Sequence, residues 1–397
     1  MQGPPSGMDL WHNYNWLQLG LSVFGLVVAV AMVVMLSINY RLIVRLLDVP
    51  IPTLPLWPKI SLIAPARNEA RNIEGAMKSL LAIDYPNLQI TIINDRSTDK
   101  TGKILKRLAK KHPRLNVVEV QELPPGWLGK NYAMHLGARQ SDGEWLLFTD
   151  ADIVFEPTTL RRAIAYAQEN LLDHLAAYPD VRMPGWLLNS FVVTFATMFT
   201  MFIRPWQVRN PQSKAYIGIG AFNLVSAEAY RNIGGHVPIR MRPDDDLKLG
   251  HLIKLNLFRS DVVNGHGAVT VEWYSTLNEL IRGLEKNCAA PLEYSLTAVF
   301  GSCLMLFFAM IWPFLAVLVT SGWPQLFYAL TVLLLLLANT LTAVNVGQPI
   351  WRAFVFPLAI TIFTYIQVRS MVLLLARGGI QWRDTFYPLA ELKSNRI

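Results

Sequence analysis

No charged residue occurs between Asp9 and Arg41, and none occurs from Tyr294 to Trp351. Uncharged apolar runs of this length suit the interior of a bilayer, where one crossing helix takes roughly 20 residues. Residues 17–38 supply one such helix. They read as an anchor rather than a cleaved leader, because no basic segment precedes them and the run is too long for a signal peptide's apolar core. Arg41 and Arg45 follow, so the positive-inside rule places the next segment in the cytoplasm and the N-terminus outside. The second run is about 58 residues, room for two crossings. Ser321-Gly322-Trp323-Pro324 breaks it into 296–320 and 326–344. A third candidate, 354–375, holds Arg369 near one end, where a long side chain can reach the interface. Three crossings would leave the tail outside, yet the tail carries Arg377, Arg383, Lys393 and Arg396. The charges weigh more, which requires one of the three segments to be re-entrant or interfacial.

The composition agrees. Charged residues are 16% of the chain, against about 25% in soluble proteins. Hydrophobic residues are 52% and aromatics 11%, which excludes disorder and collagen. Cys288 and Cys303 form no metal or redox spacing, so a disulfide scaffold is excluded and a reducing compartment is expected. The net charge of +8 needs no nucleic acid to explain it; no nucleic-acid motif is present, and lipid headgroups or a phosphate-bearing substrate suffice.

Residues 49–292, between an anchor domain (1–48) and a C-terminal membrane domain with a basic tail (293–397), have globular composition. Strand patterns at 59–65, 88–94, 116–120 and 145–149 alternate with helical patterns at 70–81, 100–111, 130–138 and 157–170. The alternation predicts an α/β domain with a mostly parallel sheet. Such sheets bind ligands beyond the carboxyl ends of their strands, at the topological switch point. Glu69, Asp95, Asp150 and Asp152 all follow predicted strands. Capping accounts for some loop acids, and Asp99 suits that role. It does not account for Asp150-Ala151-Asp152, where adjacent carboxylates repel unless a cation lies between them. Carboxylate oxygens favour Mg²⁺ or Mn²⁺, ions that bind phosphates as well.

In this order the motifs resemble the family 2 glycosyltransferases, whose type A domain binds a nucleotide sugar. They are PARNEA (65–70), NDRSTDKT (94–101), Gly126-Trp127-Leu128-Gly129-Lys130-Asn131, TDAD (149–152), Gly234-Gly235-His236 and Asp245-Asp246. The flanking apolar segments and the tail GGIQWRDTFYP (378–388) resemble the membrane-bound branch that glycosylates ceramide, hopanoid or carotenoid lipids. The resemblance implies that Glu69 and Asp95 hold the nucleoside, and that Asp150 and Asp152 hold ribose and the divalent ion. Lys130, at a predicted helix start, suits a phosphate. It also implies that Asp246, ahead of Asp245, is the general base of an inverting transfer, although the family's usual Glu-Asp pair is here part of Asp244-Asp245-Asp246. The plain alternative for this run is a helix cap. Gly235 would let the backbone approach the sugar, and His236 would contact phosphate or acceptor.

The polysaccharide-making branch carries Gln-x-x-Arg-Trp, and no such string is present. The comparable place has Arg282 and Lys286, one helical turn apart and able to meet a diphosphate or anionic lipid. Residues 186–206 are apolar, but a crossing there would split the site's motifs across the bilayer. They are expected to form a buried or interfacial helix at the lipid entrance. The expectation is an integral membrane hexosyltransferase with its catalytic domain on the cytoplasmic side, as in a bacterial inner membrane. It would move one sugar from a nucleotide diphosphate sugar to a membrane lipid hydroxyl. The alternatives are transfer to polyprenyl phosphate and, in a different class, a membrane transporter or scaffold.

Overall fold

The computed structural model describes residues 16–53, 55–285, 290–382 and 385–395, which form two compact units. Of the basic pair Arg282 and Lys286, Lys286 lies outside the described residues. The first unit contains residues 16–40, 186–201 and 295–371. The second contains Arg41–Gly185, Phe202–Tyr294 and the tail from Val372.

The second unit is an α/β domain. Its strands are β1 (Ile60–Ala66), β2 (Leu88–Asp95), β3 (Leu115–Val120), β4 (Trp145–Phe148) and β5 (Val154–Phe155). They continue with β6 (His174–Tyr178), β7 (Asp180–Arg182), β8 (Asn223–Ser226), β9 (Ser260–Asn264) and β10 (Val269–Glu272). Seven form one sheet in the order β3-β2-β1-β4-β8-β6-β9, and only β8 runs against its neighbours. The rest form a small sheet, β5-β10-β7. Buried apolar runs drive the large sheet: Ile60, Leu62, Ile63 and Ala64 of β1 are fully enclosed, as are Ile90, Ile92 and Ile93 of β2. Strands covered on both faces need such runs rather than strict alternation. The chain goes from β1 outward to β2 and β3, then returns to the other side of β1 as β4. This is a switch point, and the loops after β1, β2 and β4 open at it.

The first unit is helical. Among the described residues, five helices are long and apolar enough to cross a membrane: Trp16–Leu42, Gly185–Gln207, Leu296–Val319, Gly322–Asn345 and Ile350–Arg377. Their common core includes Ala29, Met32, Met198, Ala309, Leu335, Ala338 and Phe356, small residues alternating with large ones. The helix Gly185–Ile203 thus packs among the apolar helices, and Thr197 fixes it there by bonds to Thr342 Oγ1 (2.9 Å) and Asn339 Oδ1 (3.3 Å). Leu296–Val319 passes through a π-helical turn at Phe307–Ile311. Pro313 follows that turn; its missing N–H and the clash with the preceding turn's carbonyl account for the widening. Leu318 and Leu333 remain 79% and 63% exposed, as residues facing lipid would be.

The tail forms a hairpin of β11 (Gly379–Trp382) and β12 (Thr385–Pro388), then the helix Leu389–Ser394. Its Ile380, Tyr387 and Leu392 pack with Leu128, Met241 and Tyr294 of the α/β domain. A tail packed into that domain would share its side of any bilayer, the arrangement expected from its basic residues. A topology reporter fused after residue 397 should therefore read the same side as one inserted at an exposed loop of the α/β domain. Opposite readings would refute this packing.

Candidate active site

The loops at the switch point carry the acidic residues. Asp95 ends β2 and is 4% exposed, gripped by Arg96 Nε and Nη2 (2.7 and 3.2 Å) with Arg67 3.7 Å away. The helix Gly129–Arg139 begins against it, and a Cβ on Gly129 would lie 2.5 Å from Asp95 Oδ2. A carboxylate at a helix start is favoured by the helix dipole. Glu69 follows β1, its N–H donating to Thr101 Oγ1 at 2.8 Å. Asp99 accepts from the N–H groups of Thr101 (2.9 Å) and Ala70 (3.1 Å), so it organises both loops.

Lys130, on the first turn of that helix, lies 3.0 Å from Asp150 Oδ1 and 3.6 Å from Asp245 Oδ1. Burial alone would lower its pKa, but Asp150, Asp245 and Asp246 outweigh burial and hold it charged. Asp245 and Asp246 open the helix Asp245–Leu255. Asp246 is partly exposed, and its carboxylate accepts from Gly220 N (2.7 Å) and Leu247 N (2.8 Å). Asp245 is nearly enclosed, and burial followed by the charges of Asp246, Asp150 and Asp244 pushes its pKa up to about 7, against the pull of Lys130. Burial raises Asp246 too, opposed chiefly by Lys130.

The segment 217–220 explains how Asp246 is held. A Cβ on Gly218 would collide with the Asp246 carbonyl, and one on Gly250 with the Ile217 carbonyl. Two glycines let the segment lie flat along the helix. Asn223 Nδ2 donates to the Asp246 carbonyl at 3.4 Å. A Cβ on Gly220 would lie 3.0 Å from Asp150 Oδ2, 3.4 Å from Asp246 Oδ2 and 3.4 Å from Lys130 Nζ, so Gly220 sits at the centre of the cluster. Sequence reasoning passed over this glycine; the spacing Gly218-Ile219-Gly220 was its one visible signal.

Asp244 faces away from this cluster, in a bidentate pair with the fully buried Arg242 (2.9 and 2.8 Å). Arg242 also bonds Glu293 Oε2 at 2.9 Å, and Glu293 reaches Lys248 at 2.5 Å. Neither Arg242 nor Glu293 belonged to a motif. The remaining motif residues lie apart. Gly234 and Gly235 have φ of 78° and 59°, the left-handed region that makes them a turn. His236 is 1% exposed, bonded by Nδ1 to the Tyr230 hydroxyl (2.8 Å) and edge-on to Phe148. Burial, then the charges of His135 and Lys130, lowers its pKa to about 3, so it is neutral and packs the core. Arg282 is exposed on the helix Leu277–Glu285, outside the ion pairs around the acids.

Asp150 and Asp152 fit a divalent cation by chemistry. Burial, then Asp150 and Glu69, pushes Asp152 up to about 7, a crowding of like charge that a cation would relieve. Among the described residues no group of three or more His, Cys, Asp or Glu is placed to hold a metal. Mg²⁺ commonly uses one or two carboxylates and takes its other ligands from phosphate and water.

The α/β architecture is shared with the mannosyltransferase PcManGT of Pyrobaculum calidifontis, solved with GDP-mannose and Mn²⁺. That match has a TM-score of 0.51 at 17% identity and covers 89% of this chain and 99% of that one. A probable glycosyltransferase of Bacillus subtilis, YdaM, is 33% identical over 150 residues, 37% of this chain and 33% of that protein. The β-monoglucosyldiacylglycerol synthase of Synechocystis is 32% identical over 112 residues, 28% of this chain and 23% of that enzyme. The alignments span less than half the length of these curated relatives. Residues 61–234, the first part of the α/β unit with the helix between its segments, match the glycosyl transferase family 2 domain.

Proposed function

We propose that this protein transfers one sugar from a nucleotide diphosphate sugar to a hydroxyl of a membrane lipid, with inversion, on the cytoplasmic side of a membrane. The observation that carries the reading is the group at the switch point. A lysine is braced between Asp150 and Asp245, and beside it Asp246 is oriented by two backbone N–H groups. The apolar helices and the likeness to a glycolipid synthase support a lipid acceptor.

In this mechanism Asp95 and Glu69 line the nucleoside end, and Asp150 and Asp152 would hold a divalent cation. A divalent ion held by them would supply positive charge to offset the nucleoside diphosphate as it leaves. Lys130 adds a fixed positive charge next to it. The acceptor oxygen forms its bond to the anomeric carbon from the face opposite the diphosphate, as the carbon–oxygen bond to phosphate breaks. The hydroxyl proton passes to Asp246. Its raised pKa moves it toward the range in which a carboxylate is an effective base. Single displacement inverts the configuration.

The test is to incubate membranes containing the protein with a panel of radiolabelled nucleotide sugars and to extract the lipids. Label should enter one neutral glycolipid, stop on EDTA addition and resume with Mn²⁺ or Mg²⁺. Label in an acid-labile polyprenyl phosphate would replace the acceptor. Label in a water-soluble polymer, or transfer indifferent to EDTA, would count against the mechanism.

A further inference from the structure

The family 2 match ends at residue 234, yet the site's geometry depends on chain well beyond it. Residues 238–242 are the hub. Leu128 N donates to Arg240 O (2.9 Å), and Asn131 Nδ2 donates to Ile239 O (2.8 Å) and Arg242 O (2.9 Å). These bonds fix the chain on both sides of Gly129 and Lys130. At the end of the same segment, Arg242 grips Asp244, the residue before Asp245 and Asp246. Five residues therefore set the phosphate-side lysine and the candidate base together.

The C-terminal tail holds this hub from outside. Asn395 Oδ1 accepts from Met241 N at 3.0 Å, and its Nδ2 donates to Pro238 O at 2.7 Å. Asn395 thus uses one acceptor and one donor to span the segment. Beside it Leu392, fully buried, packs with Leu128 and Met241. Leu389 N donates to Gly378 O at 2.9 Å, closing the hairpin onto its helix.

We propose that the C-terminal residues 378–382 and 385–395 are a brace for donor binding, and that Asn395 is a positioning residue acting through 238–242 on Lys130. The proposal rests on the reading of this site as a nucleotide-sugar site. It goes beyond that reading by giving a segment outside the family 2 match control over donor affinity.

The test uses the full chain in detergent, titrated calorimetrically with UDP and GDP in Mn²⁺, alongside steady-state kinetics. Asn395→Ala should weaken nucleoside diphosphate binding about tenfold, the worth of two ordinary hydrogen bonds. Donor KM should rise by the same factor while acceptor KM stays unchanged. Asn395→Asp keeps the bond from Met241 but sets a carboxylate oxygen against the Pro238 carbonyl in place of a donor, so it should also weaken donor binding. Glu391→Gln, exposed on the same helix, should match the unaltered protein. If Asn395→Ala lowers the melting temperature but leaves donor affinity and donor KM unchanged, the tail is merely structural and the proposal fails. If the unaltered protein binds neither nucleotide, the nucleotide-sugar reading falls and takes the proposal with it.

Discussion

Asp246→Asn should lower the turnover number about 10²–10⁴-fold, the usual worth of a positioned general base, with donor binding retained. The replacement keeps the side chain's shape and removes its capacity to take the acceptor's proton. One amide oxygen can still accept from Gly220 N or from Leu247 N, but the amide N–H₂ then faces the other donor. Asp246 is partly open to solvent, so water can serve the abandoned N–H and the fold should hold. Asp245→Asn separates the two neighbours. Asp245 is nearly enclosed and faces Lys130, so its loss should appear mainly as a change in donor KM. Measuring turnover and nucleotide affinity for both variants decides the matter. Full activity in Asp246→Asn with none in Asp245→Asn would exchange their roles.

The first half of the domain was readable because each of its strands is followed by a helix long enough to show a period. LQITIIN at 88–94 is apolar on both faces, and the structure extends it by one residue to Asp95. The three acidic loops were readable for the same reason, since a parallel sheet gathers the loops after its strands on one edge. Beyond residue 170 these signals fade. β7 and β10 have three and four residues, too few for any periodicity to show. The helix Gly185–Ile203 is apolar on every side, which declares burial without naming its neighbours. Gly218 and Gly220 matter for the side chains they lack, and a pattern of hydrophobicity does not register a close backbone approach. The partner of Arg242, Glu293, is distant in the chain and adjoins apolar residues that conceal its role.

Arg242→Met should be the most destabilising of the substitutions considered, by about 3–5 kcal/mol, the range for removing one member of a buried ion pair. Methionine fills much of the same space and supplies none of the five bonds that Arg242 makes to Asp244, Glu293 and the Ala290 carbonyl. Asp244, 7% exposed, would be left without its cation, because Lys248 is paired with Glu293. The damage should extend further along the chain. Glu293 and Tyr294 have φ of 53° and 54°, left-handed conformations that cost roughly 1–2 kcal/mol each in a residue with a side chain. Glu293 is held there by Arg242 and Lys248, and Tyr294 by its burial against Leu128 and Met241. The first C-terminal apolar helix begins two residues later, at Leu296. Thermal unfolding in detergent should show the loss, and Arg242→Met combined with Asp244→Asn should recover part of it by removing the stranded carboxylate. A melting temperature unchanged in the single variant would mean that Asp244 does not depend on Arg242, and that the start of the helix bearing Asp245 and Asp246 is held by Gly220 and Asn223 alone.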